Sequence, residues 1–141
     1  MRASWIALPA ALLGIALATP ARAADTLYAQ LGEQAGIARI VDEAVALYLS
    51  DPRIKDDFDN INPDHLRTRI TSFICQLAGG PCEYKGRSMA ASHKGLHLRQ
   101  AEFNAVAEDL QTAMEQAGVP YWTQNRLMAR LAPMERDIVT R

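Results

Sequence analysis

Apolar residues recur at helical spacing along most of this chain, and nowhere alternate convincingly as they would along a strand. Ile37, Ile40, Val41, Ala44, Val45 and Tyr48 mark one helix face. Leu66, Ile70, Phe73, Ile74 and Leu77 mark a second, and Phe103, Val106, Leu110 and Met114 a third. Leu127, Leu131, Met134 and Ile138 line a fourth. Stripes of that width must be buried against one another. The chain is therefore read as all-α, a sandwich of two long helix pairs joined by short connections.

Punctuation sets the boundaries. Thr26 to Leu31 is a short helix stopped by Gly32. Pro52 disfavours helix at the residue before it, so the second helix ends near Asp51. Arg53 to Asn60 is a polar connection carrying one aromatic, Phe58. Asn62-Pro63 starts the next helix, with asparagine as cap and proline in the first turn. Gly79-Gly80-Pro81 ends it. Ser88 caps a short helix bearing Met89 and His93, and Gly118 stops the long helix after it. Pro120 opens the last helix, which Pro133 should bend.

The first residues read as a secretory leader: a positive Met1-Arg2, an apolar run from Trp5 to Thr19, and small residues at Ala21 and Ala23. The run is shorter than the ~20 apolar residues of a spanning helix. The expectation is cleavage after Ala23, an exported and periplasmic domain over 24–141, and no membrane attachment once the leader is gone. An uncleaved anchor is the competing reading. With 15 basic and 16 acidic residues the chain is mildly acidic, and losing Arg2 and Arg22 makes it more so. Without a basic stripe, nucleic acid is excluded as a partner.

Cys75 and Cys82 are the two cysteines. They form no C-x-x-C, which excludes a thioredoxin-type motif and covalent haem attachment through cysteine. An exported chain would meet an oxidising compartment, and Gly79-Gly80-Pro81 can turn the chain back between them. A Cys75–Cys82 disulfide is expected, stabilising by ~2–3 kcal/mol on the chain-entropy estimate. Two free thiols are the alternative.

His93 is the candidate ligand. A neutral imidazole on a short helix between two long ones suits a metal or a haem iron. His93 and His97 on one helix could instead share a non-haem metal, and a helical interaction module with no cofactor is a third reading.

Asp51-Pro52-Arg53, Phe58, Gly79-Gly80-Pro81, Tyr84, Gly86-Arg87, Met89, His93, Gly95-Leu96, Phe103, Ala117-Gly118-Val119-Pro120 and Ala132-Pro133 fall in one order and spacing. In that order the chain resembles the group I truncated haemoglobins, from Leu27 to Val139. The resemblance implies a two-over-two helical sandwich holding haem b without a covalent link. It implies that His93 gives Nε2 to the iron and that Phe58 wedges against the porphyrin. Leu66, Ile70, Phe73 and Ile74 would line the distal face, and Met89, Phe103, Val106 and Leu131 would close the cavity. Arg69 and Tyr84 would meet the propionates. The implied role is reversible binding of oxygen, nitric oxide or carbon monoxide.

The chain departs from the family in its distal pocket. Val45 stands where the family commonly has a tyrosine, Ile70 at the usual glutamine position, and Leu66 one turn before. A pocket of Val45, Leu66 and Ile70 offers no hydrogen-bond donor. A donor to a charged group is worth ~1.5–3 kcal/mol, or roughly ten- to a hundred-fold in affinity. Fast oxygen release and easy oxidation of the iron are expected, with carbon monoxide and nitric oxide less affected. Tyr48, nearly one turn beyond Val45, and His65, beside Leu66, are the residues that could restore polarity. Nitric oxide oxidation or peroxide reduction would need an external electron donor, and the absence of an evident distal acid–base pair argues against efficient peroxidase chemistry.

Overall fold

A computed structural model describes residues 25–141, so the expected leader lies outside the described residues. Among the described residues there is no strand. α1 spans Leu27–Gln30, α2 Glu33–Tyr48 and α3 Pro63–Leu77. α4 spans Met89–His93, α5 Gln100–Gln116, α6 Tyr121–Leu131 and α7 Glu135–Ile138.

The starts are set by local chemistry. Thr26 accepts a hydrogen bond from the Ala29 amide at 3.2 Å at the head of α1. Asn62 Oδ1 accepts from the His65 amide at 2.9 Å, with Pro63 as the first residue of α3. Ser88 Oγ accepts from the Ala91 amide at 3.2 Å and so starts α4. Glu102 reaches back to the Arg99 amide at 2.8 Å and caps α5. Each bond satisfies a donor that a helix start leaves unpaired.

α2 is the central element and packs against both α3 and α5, while α6 packs against α5 and α1. The closed core lies among them. Leu27, Ile37, Ile40, Val41, Met114 and Leu127 are each at most 1% exposed. The expected disulfide is present, with Cys75 and Cys82 Cα atoms 5.8 Å apart. Gly80 makes that closure possible, because a Cβ there would lie 2.4 Å from the Tyr28 ring and 2.7 Å from Cys75 Sγ.

Two elements differ from the sequence expectation. The polar connection after α2 contains a 3₁₀ turn, Lys55–Phe58, and a fully buried Ile54. The last helix is not one bent rod. It breaks at Pro133 into α6, a 3₁₀ turn over Ala132–Met134, and α7. Proline removes an amide donor and clashes with the preceding turn, so the axis changes there. The break lets α7 fold onto α4, and the Thr140 amide then donates to the Leu98 carbonyl at 2.9 Å. Tyr121 and Trp122, at the head of α6, are 67% and 56% exposed. No described helix is long and apolar enough to cross a membrane.

Candidate functional site

Between α3, α4 and the far ends of α5 and α6 the helices do not close on one another. They enclose a cavity of about 760 Å³, a size typical of sites for small molecules and cofactors. Leu66, Ile70, Phe73 and Ile74 face it from α3, and Phe103 and Val106 from α5. Phe58 comes from the 3₁₀ turn, Leu131 from α6, and Met89 and His93 from α4. Arg69 and Tyr84 stand on the same wall. Twelve of the expected site residues are thus brought to one cavity.

Val45 is the exception. It is wholly buried in the closed core and does not line the cavity. Its short branched side chain fills the helix interface and stops there. α2 contributes Tyr48 to the cavity wall instead, three residues on along the same face. Tyr48 is 4% exposed, and its ring stacks on Phe58 with centroids 5.6 Å apart. Burial pushes the Tyr48 phenol well above its usual range, with the Asp109 carboxylate adding to the shift. The hydroxyl therefore stays protonated.

Asp109 belongs to a polar cluster behind that tyrosine. Arg53 binds Asp51 at 2.7 Å and Glu108 at 2.5 Å, and lies 3.9 Å from Asp109. Hydrogen bonds from Arg53 hold the Asp51 carboxyl below its usual range. Burial pushes Asp109 up, and the neighbouring Asp51 charge pushes it further. Asp109 Oδ2 is buried without a hydrogen bond, an arrangement that favours the protonated acid.

The imidazole of His93 is oriented by its own helix. Nδ1 lies 2.8 Å from the Met89 carbonyl oxygen, one turn back. A carbonyl only accepts, so Nδ1 carries the proton and Nε2 keeps a free lone pair. His65 also lines the cavity, but its Nε2 accepts from Arg69 Nε at 3.0 Å. That ring is engaged as placed. α4 ends at His93, and Gly95 and His97 follow with φ of 83° and 54°. His93 and His97 therefore do not share a helix face, and His97 is exposed away from the cavity wall. No group of three or more candidate metal-binding side chains occurs among the described residues.

The mouth is polar. Tyr84 is held by three contacts: its amide donates to Gln76 Oε1 at 2.6 Å, its ring meets Phe73 edge-on at 5.2 Å, and its hydroxyl donates to the Arg87 carbonyl at 2.9 Å. Gly86 permits that last bond, since a Cβ there would lie 2.1 Å from the Tyr84 hydroxyl. With its proton engaged, Tyr84 stands at the mouth as an aromatic wall. Arg69, Lys85 and Arg87 supply the cationic side chains there. Sequence reasoning did not single out Lys85 and Arg87 as site residues, nor Ile61, Leu96, Met134 and Ile138, which also line the cavity, as do the acidic Asp57 and Glu102.

The donor set fits a haem. Its apolar wall suits a flat porphyrin, the cationic mouth suits two carboxylates, and one imidazole presents an unprotonated nitrogen. A helical interaction module would have filled this space with its own side chains.

Comparison with known proteins gives the same assignment. Residues 26–140 match the family model of bacterial-like globins. The chain is 36% identical over 98 residues to a group 1 truncated hemoglobin of Tetrahymena thermophila, covering 70% of this chain and 81% of that one. It is 31% identical over 117 residues to the group 1 truncated hemoglobin GlbN of a Nostoc species, covering 83% and 99%. Among solved structures it resembles the truncated hemoglobin of Tetrahymena pyriformis in its Fe(III) form, with a TM-score of 0.79 and 30% identity over 82% of this chain and 99% of that one. The chain thus belongs to the bacterial-like globins as a group 1 truncated haemoglobin of two-over-two fold, with haem as its cofactor.

Proposed function

We propose that this chain is an exported haem b protein that binds a diatomic gas reversibly, with His93 as the iron's proximal ligand and no covalent link to the haem. The observation that carries the proposal is the 2.8 Å contact between His93 Nδ1 and the Met89 carbonyl. It fixes the tautomer and leaves Nε2 for a metal in a largely apolar cavity, as ligating histidines usually require. Bound haem supplies an iron with a coordination position open to gas. The chain supplies everything around it. Phe58 and Phe73 would flank the haem, Leu66 and Ile70 would exclude water from the gas-binding space, and Arg69, Lys85 and Arg87 would pair with the propionates.

Gas preference follows from the distal wall. Leu66 and Ile70 have no proton to donate and His65 is engaged by Arg69, which leaves the protonated Tyr48 hydroxyl as the donor that α2 offers to the cavity. Dioxygen gains most from such a donor, so with none on Leu66 or Ile70 its retention rests on Tyr48, while carbon monoxide and nitric oxide are less affected. Iron that oxidises needs an external electron donor to return to the binding state. The leader motif and the Cys75–Cys82 disulfide both support an oxidising, periplasmic location.

The test is the ultraviolet–visible spectrum of the mature protein supplied with haem, beside His93→Gly. An intense Soret band that weakens or shifts in the variant, and is restored by added imidazole, is expected. An unchanged spectrum in the variant would exclude His93 as the ligand. No haem uptake by the folded parent would overturn the gas-binding role itself.

A further inference from the structure

One covalent bond pins the loop that joins the two cavity walls. The loop leaves α3, runs through Tyr84 to Arg87, and enters α4 below His93. The two sulfurs of Cys75–Cys82 occupy unlike places. Cys75 is wholly buried, packed under Gly80. Cys82 is only partly buried. An incoming thiolate therefore meets Cys82 first, and access governs exchange. Both sulfurs also have an environment suited to the open state. Free cysteine is among the most often buried residue types, so Cys75 can remain in its core site. Gln34 Oε1 lies 3.2 Å from Cys82 Sγ, ready to accept from a thiol.

Downstream of Cys82 the loop is held mainly through Tyr84. Its amide binds Gln76, the helical neighbour of Cys75, and its ring leans on Phe73 of the cavity wall. We propose that the Cys75–Cys82 disulfide is a thiol-exchange site for a dithiol protein, and that opening it frees the Tyr84 loop and speeds passage of haem through the mouth. One thiolate of the dithiol attacks Cys82 Sγ. Cys75 leaves as a thiolate and takes a proton. The second thiolate of the dithiol closes its own disulfide and releases Cys82, which takes the other proton. Two electrons pass from the dithiol to the protein. The haem arm of this inference rests on the gas-binding proposal above.

The experiment treats native mature protein with dithiothreitol, followed by alkylation and mass mapping, amide hydrogen exchange in the haem-free state, and haem transfer to apomyoglobin. The expected result is alkylation of Cys82 ahead of Cys75, with the fold retained by circular dichroism. Exchange at the Tyr84 amide and haem transfer should each rise about tenfold, and reoxidation should reverse both. Cys82→Ser should reproduce the fast state without reductant. A bond that resists dithiothreitol until the protein unfolds would overturn the proposal. So would a reduced protein that unfolds, or one that folds with Tyr84 exchange unchanged. Faster Tyr84 exchange with unchanged haem transfer would overturn the haem arm. Faster exchange in a protein that never takes up haem would sink the gas-binding reading and leave the exchange site standing.

Discussion

The two ends of this molecule are built from the same kind of amphipathic helix and reach opposite outcomes. At one end, aliphatic side chains of α1, α2, the later part of α5 and the middle of α6 fill the space between them, and Leu27, Ile37, Ile40, Val41, Val45 and Leu127 are among those at most 1% exposed. At the other end the same helices continue but do not close. All three phenylalanines of the chain, Phe58, Phe73 and Phe103, stand on the cavity wall, and none belongs to the fully buried core. The filled end has no need of rings, because aliphatic chains interdigitate to crystal-like density. The hollow end presents flat groups to a flat guest and leaves its own packing unfinished. Stability is therefore concentrated at one end and cofactor retention at the other.

Substitutions can break that division. The largest effect is expected for His93→Gly, which should abolish the native Soret spectrum. It should leave the melting of haem-free protein within about 0.5 kcal/mol of the parent, as for most partly exposed positions. A large stability loss without haem would show that the hollow end also carries the fold. Next comes Leu127→Ala in the filled end, expected to cost ~2–5 kcal/mol with or without haem. Chemical denaturation of the haem-free form reads it directly, and Phe103→Ala should cost less there while impairing haem retention more.

Leu66→Gln sharpens the distinction within the cavity. It places a donor on the distal wall, and stopped-flow measurement should show dioxygen leaving about tenfold more slowly, with carbon monoxide release changed far less. Equal slowing of both gases would point to a steric cause. The smallest effect concerns the buried acid between the two ends. The carboxyl of Asp109 is pushed up in the folded state, so its favourable contribution is present below the usual aspartate range and fades as pH rises through the folded value. Asp51 is pushed the other way by Arg53, and its contribution fades as pH falls. Asp109→Asn should remove the first trend only, seen as a flatter decline in melting temperature as pH rises above the usual aspartate range.

Much of this was legible in the sequence, for identifiable reasons. Long helices announce themselves by repeating a spacing, and Asn62-Pro63, Ser88 and Gly118 each act through local backbone chemistry. The disulfide was legible because only one pairing exists. The turn that carries Phe58 was not, since four residues are too few to display a period. Val45 and Tyr48 lie three apart on one face of α2, so spacing alone says that both point inward. Which one meets the cavity depends on how far each side chain reaches between neighbouring helices. Likewise, Pro133 reads as an interruption, but the fold of α7 onto α4 is a tertiary outcome.

The exposed indole of Trp122 has a photophysical consequence. It is the one tryptophan among the described residues, and it stands at the head of α6, away from the cavity lining. Porphyrins absorb where indole emits, so each arriving cofactor darkens a lamp that the site itself does not contain. Loading can then be followed by emission alone, without a label and without touching a single residue of the pocket.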